Sequence, residues 1–390
     1  MSTERCDVLV VGAGPAGSAL AASLASSGRS VILLEASCHP RPKACAEYAS
    51  PRIAEELERL GLPEGSWRGD ALAVSGMQVI RGDEAVDIRY VDARGPRPAW
   101  GLDRTRFDAA LAAHAETSGA RLLDRTSFVA AERLDGEWRA TLRSGRTQGV
   151  IRSRWLIGAD GARSRVAHRL GVERPVRIPR RLGLVAHYES EPELADHGEM
   201  HVGRHHYVGL APLADGRLNV GMALPMEDGG SAEARFAAAI ESLPEVARRL
   251  AGKRRLTPIR GASPIGHRVS RAAGPGWLLI GDAAGFIDPF TGEGIYRALR
   301  SARAAADALR ARDERAEERY LEGRRAAFAA KDALTWTVQG MLASPPILGY
   351  ALRRLATRPD LAARLGSALG DLRPASDALS PIFLAQVLRP

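Results

Sequence analysis

The residues best suited to chemistry stand near the start of the chain. Gly12-Ala13-Gly14-Pro15-Ala16-Gly17 follows an apolar run, Cys6 to Val11 (CDVLVV), and opens a helical pattern. Gly12 suits a tight turn, Gly14 lets backbone approach a pyrophosphate, and Gly17 permits close helix packing. The helix start at Ala16 supplies N–H donors and the positive end of a dipole. Glu35, 18 residues past Gly17 and next to Ala36, ends a second apolar strand, Ser30 to Leu34. A carboxylate there accepts hydrogen bonds from a ribose and disfavours a 2′-phosphate, so the pattern reads as a dinucleotide site for FAD or NAD rather than NADP.

Later segments bear on that choice. Leu156 to Ser164 (LIGADGARS) is an apolar strand running into Asp160 and Gly161. Leu278 to Gly294 (LLIGDAAGFIDPFTGEG) passes from a strand through Gly281 and Asp282, then through a loop bearing Pro289, to Gly292, Glu293 and Gly294, with a helix from Ile295. A carboxylate at a strand end beside a helix start suits ribityl hydroxyls, and backbone N–H groups at 292–294 suit the electron-rich edge of a flavin. Cys38 and Cys45 are close in sequence, but no histidine and cysteine partners complete a tetrahedral set, so no metal is expected. Glu47, Tyr48, His187, His205 and His206 can each be read as reaching a substrate or as structural.

These groups need a scaffold, and its elements are legible. Strand, glycine turn, helix and strand in residues 6–34 form one unit of a parallel sheet. Ser50 reads as the cap of a helix with Pro51 in its first turn, running to Gly61. Arg106 to Gly119 is helical, residues 121–150 read as hairpin strands, and Trp277 to Ile280 is a further short strand. Residues 76–92 and 183–223 alternate instead, an antiparallel signal. The expected class is therefore α/β: a Rossmann-like dinucleotide-binding domain (1–75, 101–175 and 262–320) with an inserted antiparallel substrate sheet (76–100 and 176–261) and a helical C-terminal region (321–390).

Composition narrows the partners. The formal charge is +9 over 390 residues, yet only three of the 55 basic residues are lysine (Lys43, Lys253 and Lys331). The arginines are spread among acids with no basic, aromatic-bearing stripe, so nucleic acid is not an expected partner. Three cysteines, an odd number in a long chain, suggest a reducing, cytoplasmic setting. The charge-free stretch between Asp7 and Arg29 is broken by glycines and Pro15, so no membrane span is expected there. Membrane contact is not expected, and oligomeric state is not legible.

Taken together, GAGPAG with Glu35, Lys43 to Leu62, Arg104 to Ala115, GADG, GDAAGFIDPFTGEGIYRALRSAR and Leu379 to Leu388 resemble the FAD-dependent oxidoreductases that include p-hydroxybenzoate hydroxylase, and within them the geranylgeranyl reductase-like branch. The resemblance implies noncovalent FAD, with Arg104 near the pyrophosphate, Asp282 at the ribityl-phosphate region and the Gly292–Ile295 loop at the isoalloxazine. Asp160 and Gly161 match the family's short acid-glycine motif. Cys45 matches a position where the family often has a cysteine near the flavin, either an active thiol or a small filler of the pocket wall; Tyr48 is a second catalytic candidate. The sequence has no second dinucleotide-binding motif, which fits a family that lacks a separate nicotinamide domain, and NADH or NADPH is the implied electron donor. Tyr207 to Pro212 lacks the tryptophan of the prenyl reductases, and the halogenase tryptophan motif is missing. The leading expectation is a monooxygenase that uses molecular oxygen on a small apolar metabolite. The alternative is a double-bond reductase or dehydrogenase, and the remote one is a carrier that has lost its flavin.

Overall fold

The charge-free stretch near the N-terminus becomes a strand (Glu4–Val11) and a helix (Pro15–Ala25) in the computed structural model, which describes residues 4–176, 178–190, 196–226, 229–311 and 314–388. Every hydrophobic residue from Val8 to Val11 is buried, which is why this strand reads as a continuous apolar run and not as an alternating one. It lies inside an eight-stranded sheet. On one side it pairs in parallel with Val31–Leu34, which in turn pairs with Arg121–Leu123. On the other it pairs in parallel with Thr147–Gly158.

That last strand has two roles. Its first half continues the antiparallel meander Thr126–Leu134, Glu137–Ser144, while its end pairs in parallel with Trp277–Leu279. The ends of Glu4–Val11, Thr147–Gly158 and Trp277–Leu279 therefore carry the Gly12, Asp160 and Asp282 segments to one rim of the sheet. Gly12 sits there with φ +105, where a Cβ would fall 2.6 Å from the Ala159 carbonyl oxygen, and a Cβ on Gly17 would fall 1.9 Å from the Gly12 carbonyl oxygen. Only glycine permits that approach.

The alternating segments form a second, seven-stranded sheet. Its order is Arg260–Ala262, Arg181–Glu189, Arg217–Pro225, Tyr207–Pro212, Gly198–Val202, Gly76–Arg81, Glu84–Arg89, antiparallel throughout except where Gly198–Val202 meets Gly76–Arg81. Period-two alternation sorts its faces. Leu184 and Ala186 pack under Phe236 and Val246 of two covering helices, Ala232–Glu241 and Pro244–Leu250, while Gly183 and Val185 face a cavity.

Helices Gly294–Arg310 and Ala316–Ala343 pack on the first sheet's side, and the second of them spans the residue where the helical region was expected to begin. Helices Pro345–Ala356 and Pro359–Leu369 then lie on the edge strand Glu84–Arg89, burying Val86, Ile88 and Tyr90 against Leu348, Leu352 and Leu361. Among the described residues no helix is long and apolar enough to cross a membrane. Ser50 does not cap a helix: the helix after it is Ile53–Leu60, capped at its end by left-handed Gly61, and the Ser50 hydroxyl lies 3.4 Å from Asp371 Oδ2.

Candidate active site

A cavity of about 640 Å³ runs between the two sheets. Its first end is the rim described above, lined by Gly14, Ala16, Asp160, Gly161, Gly281 and Asp282. Its other end is apolar, with Met77, Val79, Ile88, Met200, Leu210 and Met222 on the wall. Between them lie Cys45, Tyr48, Arg104, Pro289, Gly292, Gly294 and Ile295.

The structure thus brings most of the sequence-derived candidates to one space. Gly12 and Gly17 act instead in the packing behind it, Ala36 is exposed, and Glu35 lies off the wall. Glu35 accepts the Ala13 N–H at 3.3 Å and the Ser37 N–H at 3.0 Å, and pairs with Arg41 at 3.2 Å. Although burial opposes its charge, the Ser37 hydrogen bonds and Arg41 hold its carboxyl below the usual range. Arg41 is a residue that sequence reading missed: its guanidinium is the nearest group, at 3.9 Å, to a Cβ built on Gly14. The space over Gly14 is otherwise open, as a pyrophosphate requires.

Arg104 is the centre of a buried network. Asp103 caps its helix, accepting from Thr105 and Arg106 N–H groups. The Arg104 guanidinium makes a bidentate pair with fully buried Asp108 (2.7 and 2.9 Å) and donates from Nη1 to Cys45 Sγ at 3.3 Å. The pair outweighs burial, so Asp108 titrates below, and Arg104 above, their ordinary ranges. The (i, i+4) spacing of Arg104 and Asp108 is the signal that could have found the second residue.

Cys45 also accepts the Glu47 N–H at 3.4 Å. Glu47 adopts φ 55, in the left-handed region, which costs of order 1–3 kcal/mol and persists only when the surroundings enforce it. They do: its carboxylate accepts from Arg104 N–H (3.0 Å) and Asn219 Nδ2 (2.8 Å) and meets His187 Nε2 at 2.6 Å. His187 is therefore tied to Glu47 and is not on the cavity wall. His205 and His206 lie in the turn between two strands, and His206 Nε2 meets the Ser242 hydroxyl at 3.0 Å, also off the wall.

Asp160 accepts from the Ser164 hydroxyl (2.6 Å) and Val166 N–H (3.2 Å), and burial raises its titration. Glu293 was expected to offer its backbone N–H, with those of Gly292 and Gly294, to the cofactor. Gly292 and Gly294 line the cavity, but the Glu293 carboxylate turns away from it to Lys331 Nζ, 3.2 Å off. Among the described residues no group of three potential metal ligands gathers.

The donors and spaces suit FAD: an open backbone over Gly14 at a helix start, Arg104 and Asp282 along the wall, and the start of helix Gly294–Arg310 beyond. This architecture is that of an FAD-dependent oxidoreductase with a Rossmann-like domain, an inserted antiparallel sheet and a helical C-terminal region. The chain belongs to the family described as an FAD binding domain, which it matches over residues 5–331, and to the geranylgeranyl reductase-like branch of the p-hydroxybenzoate hydroxylase superfamily. It is 32% identical over 321 residues to a menaquinone reductase of Mycolicibacterium smegmatis, covering 78% of this chain and 76% of that one. It is 31% identical over 314 residues to a digeranylgeranylglycerophospholipid reductase of Methanothermobacter thermautotrophicus, covering 77% and 75%. A flavoprotein/dehydrogenase structure from Cytophaga hutchinsonii shares the fold with TM-score 0.84 at 22% identity, over 94% of this chain and 93% of that one.

Proposed function

We propose that this protein is an FAD-dependent reductase that saturates a double bond of an apolar, lipid-like substrate, with NADH or NADPH as electron donor. The observation that carries this reading is one continuous cavity whose first end suits FAD and whose other end is walled by methionine and aliphatic side chains. The names of the two reductases support it, since menaquinone and a digeranylgeranyl lipid both bear apolar chains.

Bound FAD would supply the two-electron carrier. The chain's own contribution is to seat it: the Gly14–Ala16 turn and Arg41 for the pyrophosphate, Asp282 for the ribityl region, and the 292–295 backbone for the ring. Half-buried Met77 and Val79 and buried Met222, on the wall of the apolar end, would exclude water from the reacting bond. Cys45 and Tyr48 are the proposed catalytic residues on the intervening wall, each able to hold a proton beside the bond being reduced. Cys6, Cys38 and Cys45 are all free, in keeping with a reducing, cytoplasmic setting.

Monooxygenation, placed first on sequence alone, is the second reading. It is favoured by Tyr207–Pro212, which walls the cavity without the prenyl reductases' tryptophan. One experiment separates them: bleach the purified holoenzyme anaerobically with NADH or NADPH, then add menaquinone or a geranylgeranyl lipid, and separately air. Reoxidation by the lipid, with a product two hydrogens heavier, is expected. Reoxidation by air alone, with oxygen entering a product, would overturn the reductase reading.

A further inference from the structure

Behind the apolar wall lies a second set of groups that no cofactor role absorbs. The hydroxyls of Tyr48 and Tyr90 meet at 2.9 Å, both rings buried, and both residues line the cavity. The Tyr48 ring packs on the flavin-side loop, where a Cβ on Gly292 would fall 3.1 Å from it. The Tyr90 ring packs on Gly370, where a Cβ would fall 2.5 Å away, and the next residue is Asp371. Asp371 pairs with Lys331 at 3.0 Å, and Lys331 pairs with Glu293 at 3.2 Å. Lys331 also donates to the carbonyls of Ala368 and Leu369. Two buried carboxyls therefore share one ammonium. The nearest further cation, Arg297, sits 3.9 Å from Glu293 but is committed to Asp332 at 2.6 Å. Like charges desolvated together cannot all persist, so such a site keeps a proton.

We propose that the Tyr48–Tyr90 pair delivers the proton that completes substrate reduction, and that the Glu293–Lys331–Asp371 cluster stores its replacement. This rests on the reductase reading. The substrate takes a hydride equivalent from the reduced cofactor and a proton from the Tyr48 hydroxyl. Two new bonds to hydrogen replace the π bond; reduced FAD would supply the hydride equivalent, with its two electrons drawn in turn from the nicotinamide donor. Tyr48 recovers its proton from Tyr90, and Tyr90 recovers its own from the Asp371 carboxyl. No hydrogen bond joins Tyr90 and Asp371 directly, so this last transfer would need a bridging water. Asp371 then regains a proton from solvent.

The electrostatics agree. Burial and the neighbouring Glu293 charge hold the Asp371 carboxyl well above its ordinary range against the opposing pull of Lys331 and Arg297. Burial likewise raises Tyr48, and with Asp371 and Glu293 it pushes Tyr90 up to about 12, so both stay protonated donors. Ser50 and Tyr296 also face Asp371. Asp371 and the two helices that flank it in sequence, Pro359–Leu369 and Ala375–Leu379, lie beyond residue 331, outside the span matched to the family.

The test uses the holoenzyme in two measurements. First, infrared spectra of wild type, Asp371→Asn and Glu293→Gln should show a neutral carboxylic acid band in wild type that Asp371→Asn removes. A wild-type spectrum without that band, or one unchanged by both substitutions, overturns the proton store. Second, reoxidation of reduced flavin by the lipid substrate is followed against pH, each variant referred to its own rate of bleaching by the donor. Tyr48→Phe should slow reoxidation about 10²-fold or more, the usual worth of a positioned acid. Tyr90→Phe, which keeps the ring on Gly370, should slow it less and steepen its decline with pH. Wild-type reoxidation rates in both tyrosine variants overturn the inference while leaving the reductase reading intact. Failure of wild type itself to be reoxidised by any lipid is failure of the reductase reading instead.

Discussion

Among single residues, Arg104 and Asp108 form the pair whose loss would be felt most. Both are buried and mutually bidentate, so removing one strands the charge of the other. Arg104→Ala should lower unfolding free energy by about 3–5 kcal/mol, measured by denaturant titration, and should weaken FAD retention as well. Asp108→Asn should destabilise without removing the guanidinium from the cavity wall, so its bound-flavin content separates the two roles. An Arg104→Ala protein as stable as wild type would show that the pair contributes little. Arg104 was legible in the sequence by resemblance, and Asp108 by helical spacing. Lys331 with Asp371, and Tyr48 with Tyr90, were not legible as pairs: their partners are 40 and 42 residues apart, and no periodic pattern connects them.

At the scale of elements, the second sheet is tied to its covering helices by Glu199. Its carboxylate meets His201 Nε2 at 2.7 Å and pairs with Arg249, which lies on helix Pro244–Leu250. The His201 and Arg249 contacts outweigh burial and hold Glu199 down at about 2, from a usual 4.5. A depressed carboxyl stabilises the fold fully above its unfolded value and loses that contribution as pH falls through its folded one. Wild type should therefore exceed Glu199→Gln in Tm at neutral pH, and the gap should close as pH falls from about 4.5 towards 2. A gap independent of pH would show that packing, and not this charge, joins sheet and helix. The elements themselves were largely readable, because continuous apolar runs and strict alternation distinguish the two sheets. The helix expected from Ser50 begins instead at Ile53, and the Ser50 hydroxyl lies 3.4 Å from Asp371 Oδ2, 321 residues away.

At the scale of the whole molecule, the C-terminal helices pack on the edge strand Glu84–Arg89 and bring Leu369 to the cavity. Gly366 makes that docking possible: a Cβ there would fall 2.3 Å from the Arg89 carbonyl oxygen. Gly366→Leu should push helix Pro359–Leu369 off the edge strand Glu84–Arg89, uncovering Ile88 and Tyr90 and carrying Asp371 away from Lys331. Limited proteolysis should then cleave the tail faster than in wild type, with the first sheet and its FAD end retained. An unchanged cleavage rate would mean that helix and strand accommodate the side chain by a small shift.

The sequence by itself determined the class of fold, the glycine turn, the acid at the end of the second strand and the FAD-type loop, because each is a local backbone requirement written in adjacent residues. Tertiary structure decided which candidates face the same space. It paired the Glu293 carboxylate with Lys331, tied His187 to Glu47, and set Arg41 beside Gly14. Such pairings depend on where separate strands and helices come to rest, and burial then forces each charged or polar group to find a partner there, at whatever distance along the chain.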